Sequence, residues 1–142
     1  MTMDTNGINH TNGEEARLLE RINAMDENTL ASDIVPIRDV CEILGSRWIV
    51  EILTGVARGH TRFSELKTFL YEITEKMLAS GLNRLTELRL LERTDRLGYT
   101  NRAEYNITRQ GVLLFNVIFA MQDWGRGYRQ ELFGGERLPN GE

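Results

Sequence analysis

Apolar residues recur at the spacing of amphipathic helices along most of this chain. The stripes stop at polar or glycine-containing stretches, which predict the ends of helices. On this basis the chain divides into four segments: a disordered tail at 1–13, an N-terminal helix and polar linker at 14–32, a compact domain at 33–128 and a C-terminal tail at 129–142.

The compact domain opens on two predicted helices. Pro36 suits the first turn of a helix that stops at Gly45, and Ser46 can cap the next. Cys41 lies on the apolar stripe of the first helix, where a free cysteine behaves as a small hydrophobe. We therefore expect Cys41 to be a buried structural residue and not a redox sensor. A single cysteine cannot form an intrachain disulfide, and it favours a reducing compartment.

The middle of the domain predicts a helix, a tight turn and a second helix. Ser64 can cap a short helix, and Thr74 can cap a longer one that ends near Arg89. The longer helix has an apolar face with a helical repeat and a polar face opposite to it. The apolar face contains Leu78, Leu82 and Leu85.

A hairpin and a long helix follow. Alternating residues predict strands at 91–95 and 102–107, and Thr108 can cap a helix that runs to about Tyr128. That helix is apolar around most of its circumference, so two of its sides must be buried, and in so small a domain one side should meet a second subunit. The homodimer contacts predicted in this helix are Phe115, Ile118, Phe119 and Trp124.

Charge is distributed unevenly along the chain. The net charge is −4, yet residues 76–109 contain seven basic and four acidic side chains and carry +3. The rest of the chain therefore carries −7. One basic face on an acidic molecule is typical of a protein that binds double-stranded DNA, although a solvated helix and hairpin of mixed charge would have a similar composition.

The polar face of the Thr74 helix combines groups that suit a DNA groove. Lys76 and Arg84 can reach phosphates or guanine edges, while Ser80 and Asn83 can both donate and accept hydrogen bonds. A recognition helix usually enters the groove with its first turns. The predicted recognition residues are Thr74, Glu75, Lys76, Met77, Ser80, Asn83 and Arg84.

The hairpin adds cations around a Gly-Tyr-Thr-Asn tip. A protruding ribbon of this kind suits the minor groove and the flanking sugar–phosphate backbone, and the alternative is a solubilising edge hairpin. The predicted wing and backbone contacts are Arg62, Ser64, Arg93, Arg96, Tyr99, Asn101 and Arg102.

Other chemistry has little support in the sequence. His10 and His60 are the only histidines, and together with one cysteine they do not form a metal site of usual spacing. We find no phosphate-binding glycine loop and no arrangement of a catalytic triad. We therefore expect no metal, no cofactor and no enzymatic activity. The chain contains no apolar run long enough to span a membrane and no secretory signal, so we expect a cytoplasmic, nucleoid-associated protein.

An ordered set of short motifs resembles one family. Leu44 to Trp48, Arg62 to Leu66, Ile73 to Leu78, Leu82 to Leu85 and Glu104 to Thr108 look like the HxlR-type winged helix-turn-helix regulators, which are distantly related to MarR-type proteins. The resemblance implies a dimeric bacterial or archaeal DNA-binding protein with its dimer contacts in the terminal helices. This adds Leu18, Leu19 and Ile22 of the N-terminal helix to the predicted homodimer contacts.

One position departs from the family pattern. Many members have a cysteine immediately before the proline, which some use to sense oxidants or electrophiles, and this chain has Val35 there. Sensing by that route is therefore not expected.

The resulting hypothesis is a winged helix-turn-helix homodimer that binds a pseudo-palindromic operator and represses transcription where the operator overlaps a promoter. Two alternatives stay open. One is a regulator that responds to a small effector bound in a pocket near Trp48 and the dimer helices. The other is a winged-helix protein-interaction module without DNA binding.

Overall fold

The computed structural model describes residues 8–95 and 103–139, and within those ranges the chain forms six helices and a two-stranded sheet. The predicted mainly α fold with a small hairpin is confirmed. The elements are α1 (Ile8–Asn23), α2 (Leu30–Leu44), α3 (Ile49–Ala57), α4 (Phe63–Phe69), α5 (Glu75–Glu87), β1 (Leu91–Asp95), β2 (Ala103–Ile107) and α6 (Arg109–Phe133). None of the helices in these ranges has the length and apolarity needed to cross a membrane.

The chain divides into two compact units. One unit ends at Gly45 and contains α1 and α2, and the other begins at Ser46 and contains the remaining elements. The division therefore follows α2, whereas the predicted domain boundary at residue 33 falls inside that helix.

Both helices of the first unit begin earlier than predicted. α1 begins at Ile8 instead of Glu14, and α2 begins at Leu30, so Pro36 lies inside the helix and not in its first turn. Before the proline, the amide of Asp33 donates to the carbonyl oxygen of Thr29 at 2.9 Å, and the Thr29 hydroxyl donates to Asp33 Oδ2 at 3.2 Å. The first turn is thus closed by hydrogen bonds between Thr29 and Asp33. Pro36 takes no part in these bonds, so its missing amide hydrogen does not affect them.

Cys41 is exposed, so the expectation of a buried structural cysteine is wrong. α2 buries none of its residues. The stripe that contains Cys41 is apolar in sequence but remains open to solvent, and a helical pattern alone does not specify which element covers it.

The hydrophobic core lies in the second unit, where α3 packs against α4, α5, α6 and β2. The core residues are Ile49, Ile52, Leu53, Val56, Leu66, Leu70, Ile73, Leu78, Leu82, Leu85, Leu90, Leu91 and Tyr105. A β-carbon on Gly81 of α5 would overlap Cδ1 of Ile52 in α3. The absence of a side chain at Gly81 therefore allows α5 to lie closely against the core helix.

The hairpin is tied to the start of α4. β1 and β2 are antiparallel, with Leu91 opposite Ile107 and Arg93 opposite Tyr105. The amide of Tyr105 also donates to the carbonyl oxygen of Thr61 at 2.8 Å. The residues that precede α4 therefore run beside β2 and fix the base of the hairpin against the helices.

α6 begins where the sequence predicts and ends later. The Thr108 hydroxyl accepts from the amide of Gly111 at 3.1 Å, which is the expected N-cap. The helix continues to Phe133, beyond the predicted end near Tyr128, and closes on Gly134 with φ of 57°. Gly111 is the one residue of α6 that is buried.

Candidate nucleic-acid interface

The turn between α4 and α5 is held from both sides. Leu70 and Ile73 are buried in the core beneath it. Thr74 follows, and its hydroxyl accepts from the amide of Met77 at 3.1 Å, so the predicted cap of α5 is confirmed. This cap satisfies an amide that the first turn would otherwise leave without an intrahelical partner.

α5 has one buried face and one solvent face. The inner residues Leu78, Leu82 and Leu85 are 0% exposed. All seven side chains predicted for the recognition surface are exposed: Thr74, Glu75, Lys76, Met77, Ser80, Asn83 and Arg84. Arg84 contacts Glu87 one turn later, with 4.0 Å between Nη1 and Oε2. The helix therefore offers an unobstructed polar surface on a rigidly packed support.

Arg62 lies between two carboxylates. Its guanidinium is 3.7 Å from Oε1 of Glu104 on β2 and 4.0 Å from Oε1 of Glu65 on α4. Arg62 and Glu104 also form an isolated antiparallel bridge. Arg62 thus joins the hairpin to α4, and only part of its charge is available to a further anion. Ser64 is exposed nearby.

Arg93 is the other predicted wing contact within the described residues. Its Nε donates to Oδ1 of Asp95 at 3.1 Å on the same strand. This hydrogen bond is the main reason that the pKa of Arg93 is raised, and electrostatic interactions with Tyr105 and Asp95 add to it. Arg93 therefore stays cationic at all working pH values. Arg96, Tyr99, Asn101 and Arg102 lie outside the described residues.

A cation that the sequence analysis missed lies beside α5. Arg47 and Trp48 precede α3, and they line a cleft of about 470 Å³ together with Lys76, Ser80 and Arg84 of α5. The Arg47 guanidinium carbon is 4.8 Å from the centre of the Trp48 ring. In the sequence, Arg47 belongs to the motif from Leu44 to Trp48 that resembles the family, and the pattern predicts a helix cap at Ser46 beside it. The structure instead gives α3 no side-chain cap and places Trp48 at its N-cap.

A larger apolar cavity lies on the other side of α3. Its volume is about 790 Å³, and its walls come from α3, the end of β2 and α6. Val50, Thr54, Phe115, Phe119 and Gln122 are among its lining residues. Trp48 is not among them, but the cavity lies between the helix that follows Trp48 and α6, a predicted dimer helix.

The residues predicted to form a dimer interface are open to solvent. The exposed fractions are 49% for Leu18, 51% for Leu19, 58% for Ile22, 58% for Phe119 and 69% for Trp124. Phe115 and Ile118 are half-buried. Trp124 also stacks on Tyr128, with ring centres 4.8 Å apart. Exposed apolar side chains in this number are unusual for a surface that stays in water.

The described residues contain no group of three or more His, Cys, Asp or Glu side chains that could hold a metal ion. His60 instead stacks on Phe69, with ring centres 4.4 Å apart.

A short helix, a tight turn, a second helix with an exposed polar face and an antiparallel hairpin define a winged helix-turn-helix protein, a class of transcriptional regulators. The chain belongs to the HxlR-like helix-turn-helix family, whose model matches residues 43–133. The resemblance seen in the short motifs is confirmed.

Individual relatives support this assignment. The chain is 32% identical to the HTH-type transcriptional regulator YtfH of Escherichia coli, over 70% of this chain and 79% of that protein. It is 29% identical to the HTH-type transcriptional regulator YdeP of Bacillus subtilis, over 68% of this chain and 76% of that protein. Among solved structures, the reduced form of the transcriptional regulator YodB from B. subtilis matches with a TM-score of 0.61 and 29% identity, covering 72% of this chain and 97% of YodB.

Proposed function

We propose that two copies of this chain bind a pseudo-palindromic DNA operator, with α5 of each copy in a major groove and each hairpin against the flanking backbone. The observation that carries the proposal is the division of α5 into a fully buried face and an exposed polar face. Its cap at Thr74 and its close packing at Gly81 fix the helix, and of the predicted recognition side chains the cap uses only that of Thr74.

Two kinds of contact are expected from the exposed face of α5. Asn83 and Ser80 have the donor and acceptor groups that read base edges, whereas Lys76 is a flexible cation suited to phosphates. A base contact discriminates between sequences, and a phosphate contact strengthens binding to every sequence. The two roles are therefore separable by experiment.

The test uses a duplex selected by the wild-type protein from a randomised library and an unrelated duplex of equal length. Fluorescence anisotropy gives the affinity for each at several salt concentrations. Asn83→Ala should reduce the preference for the selected duplex by about 1–3 kcal/mol. Lys76→Ala should weaken binding to both duplexes and reduce the salt slope by about 1 per contact. Wild-type protein that binds neither duplex would rule out the proposal.

A homodimer is proposed because the terminal helices carry exposed apolar residues that a second copy would cover. α6 alone exposes Phe119, Met121 and Trp124 by more than half. Two recognition helices related by a two-fold axis would reach major grooves roughly 34 Å apart. Binding of this dimer across a promoter would repress transcription.

The cavity between α3 and α6 supports a second candidate function, control by a small apolar effector. About 790 Å³ is within the usual range of roughly 300–1,000 Å³ for ligand pockets, and Phe115 and Phe119 supply aromatic walls. Phe115 and Phe119 are also predicted dimer contacts, so an effector bound there would act directly on the dimer. A compound set screened by thermal shift tests this role, because an effector must both stabilise the protein and change its affinity for DNA.

A further inference from the structure

The turn before α3 presents an arginine to the same solvent region as the recognition helix. Arg47 and Trp48 form one wall of the cleft of about 470 Å³, and Lys76, Ser80 and Arg84 of α5 line the other. None of the described residues that line this cleft is acidic. Three cations thus surround one opening, an arrangement that attracts an anion, and Arg47 and Lys76 contribute most because Arg84 also contacts Glu87.

Arg47 is positioned by the residue that follows it. Its guanidinium carbon lies 4.8 Å from the centre of the Trp48 ring, within the range of a cation–π contact. Stacking uses the flat face of the guanidinium and leaves the N–H groups at its edge free to donate. Trp48 itself is half-buried, so it forms a fixed platform.

The backbone at Trp48 is strained. Its φ is 76°, in the left-handed region that bulky residues rarely adopt. The carbonyl oxygen of Trp48 accepts from the amide of Ile52 at 2.9 Å, which links this turn to the buried part of α3. Strain of this kind persists only where the surroundings hold it, and it often occurs at binding sites.

We propose that Arg47 donates to a phosphate of the DNA strand that flanks the groove entered by α5, with Trp48 as its positioning residue. A planar guanidinium fits two phosphate oxygens at once, whereas the lysine of α5 acts as a point charge. This inference rests on the proposed DNA binding, because the cleft is continuous with α5. It adds a backbone contact that comes from neither the recognition helix nor the hairpin.

The test compares wild type with Arg47→Ala and Arg47→Lys on the selected duplex and on the unrelated duplex. Loss of one phosphate contact per subunit should lower the slope of log affinity against log salt by about 0.9 per subunit, or roughly 1.8 in a dimer. Arg47→Ala should weaken binding to both duplexes by the same factor, since phosphates carry no sequence information. Arg47→Lys should recover most of the salt slope but not all of the affinity.

Arg137→Ala is the matched control, because it removes an exposed cation far along the chain from the cleft. The DNA affinity and salt slope of Arg137→Ala should equal those of wild type. Circular dichroism and thermal unfolding of each variant establish that the fold is retained, and Arg47→Lys serves as the test if the alanine variant does not fold.

Three outcomes would overturn the inference. If wild type binds DNA and both Arg47 variants keep its affinity and salt slope, the phosphate contact is refuted while the proposed function stands. If Arg47→Ala affects only the selected duplex, Arg47 contacts bases instead. If inorganic phosphate stabilises wild type, and Arg47→Ala abolishes that effect without changing DNA affinity, the cleft is a site for free phosphate. Wild-type protein that fails to bind any duplex would refute the proposed function itself.

Discussion

The hydroxyl of Thr108 donates a 2.8 Å hydrogen bond to the carbonyl oxygen of Arg89, and so joins the start of α6 to the turn that follows α5. Arg89 has φ of 59°, an uncommon conformation for a residue other than glycine. The same hydroxyl accepts from the amide of Gly111 and lies 3.1 Å from the carbonyl oxygen of Leu90. One threonine thus caps a helix and holds the turn that leads from α5 into the hairpin.

Replacing Thr108 by valine should destabilise the protein. The change removes an N-cap and a partner of a strained turn while it keeps the volume of the side chain. We expect the free energy of unfolding to fall by about 1–2 kcal/mol in urea denaturation. Thr94→Val on the exposed face of β1 is the control, with an expected change within about 0.5 kcal/mol. Equal losses from the two variants would contradict the role given to Thr108.

A second prediction concerns how the close contact between α5 and α3 affects stability. Alanine at Gly81 would bring a methyl group into Cδ1 of the fully buried Ile52. Overpacking costs about 1–3 kcal/mol and exceeds the gain in helix propensity of roughly 1 kcal/mol, so Gly81→Ala should lower stability. Measurement is again by urea denaturation.

Ile52→Val supplies the control for this contact, because it removes the overlapping carbon atom. On its own it should cost about 0.5–1.5 kcal/mol. The stability lost in the double variant should be smaller than the sum of the losses in the two single variants. The difference, which is the coupling energy, should be at least about 0.5 kcal/mol. Additive losses would show that α5 does not approach α3 as described.

Much of the second unit follows from local signals in the sequence. The caps at Thr74 and Thr108 could be predicted because a single side-chain oxygen forms each of them. The inward face of α5 could be predicted because the helical repeat of its apolar residues determines it. The first unit was predicted less well. Pro36 indicated a helix start, but the helix begins nearly two turns earlier, at Leu30, beside polar groups around Thr29.

Features that depend on distant residues could not be predicted. The apolar stripe at Cys41 predicted burial, yet burial requires a covering element that the stripe does not specify. The pairing of Arg62 with Glu104 joins residues far apart in the chain. The pattern predicts a cap at Ser46 and no role for Arg47, because the left-handed conformation of Trp48 has no signature in a bulky residue.

The ion pair between Arg62 and Glu104 makes a third prediction. Glu104→Gln removes a negative charge from β2 and leaves Arg62 without the closer of its two carboxylate partners, which lies at 3.7 Å. If Arg62 meets a phosphate, DNA affinity at low salt should rise by about twofold to fivefold, the equivalent of one exposed ion pair. Glu92→Gln makes the same charge change on the exposed side of β1 and should have a smaller effect. Equal increases from both variants would mean that only net charge matters.

A fourth prediction concerns dimerisation through the exposed side of α6. Phe119→Glu places a charge at a proposed dimer contact and should convert the protein to monomers in analytical ultracentrifugation. Loss of the dimer should also lower the affinity for the operator, because a single recognition helix reads only half of the site. Gln110→Glu is the control in the first turn of the same helix, where a negative charge is tolerated. A Phe119→Glu protein that remains a dimer would contradict this interface.

Hydroxyl-radical footprinting of the wild-type protein on its selected duplex is the most direct measurement of how α5 is used. Two protected tracts of DNA related by a two-fold axis are expected, with their centres one helical turn, or roughly 34 Å, apart. Both tracts should weaken together in Lys76→Ala. A single tract without symmetry, or protection that is unchanged when Lys76 and Asn83 are both replaced by alanine, would contradict this use of α5.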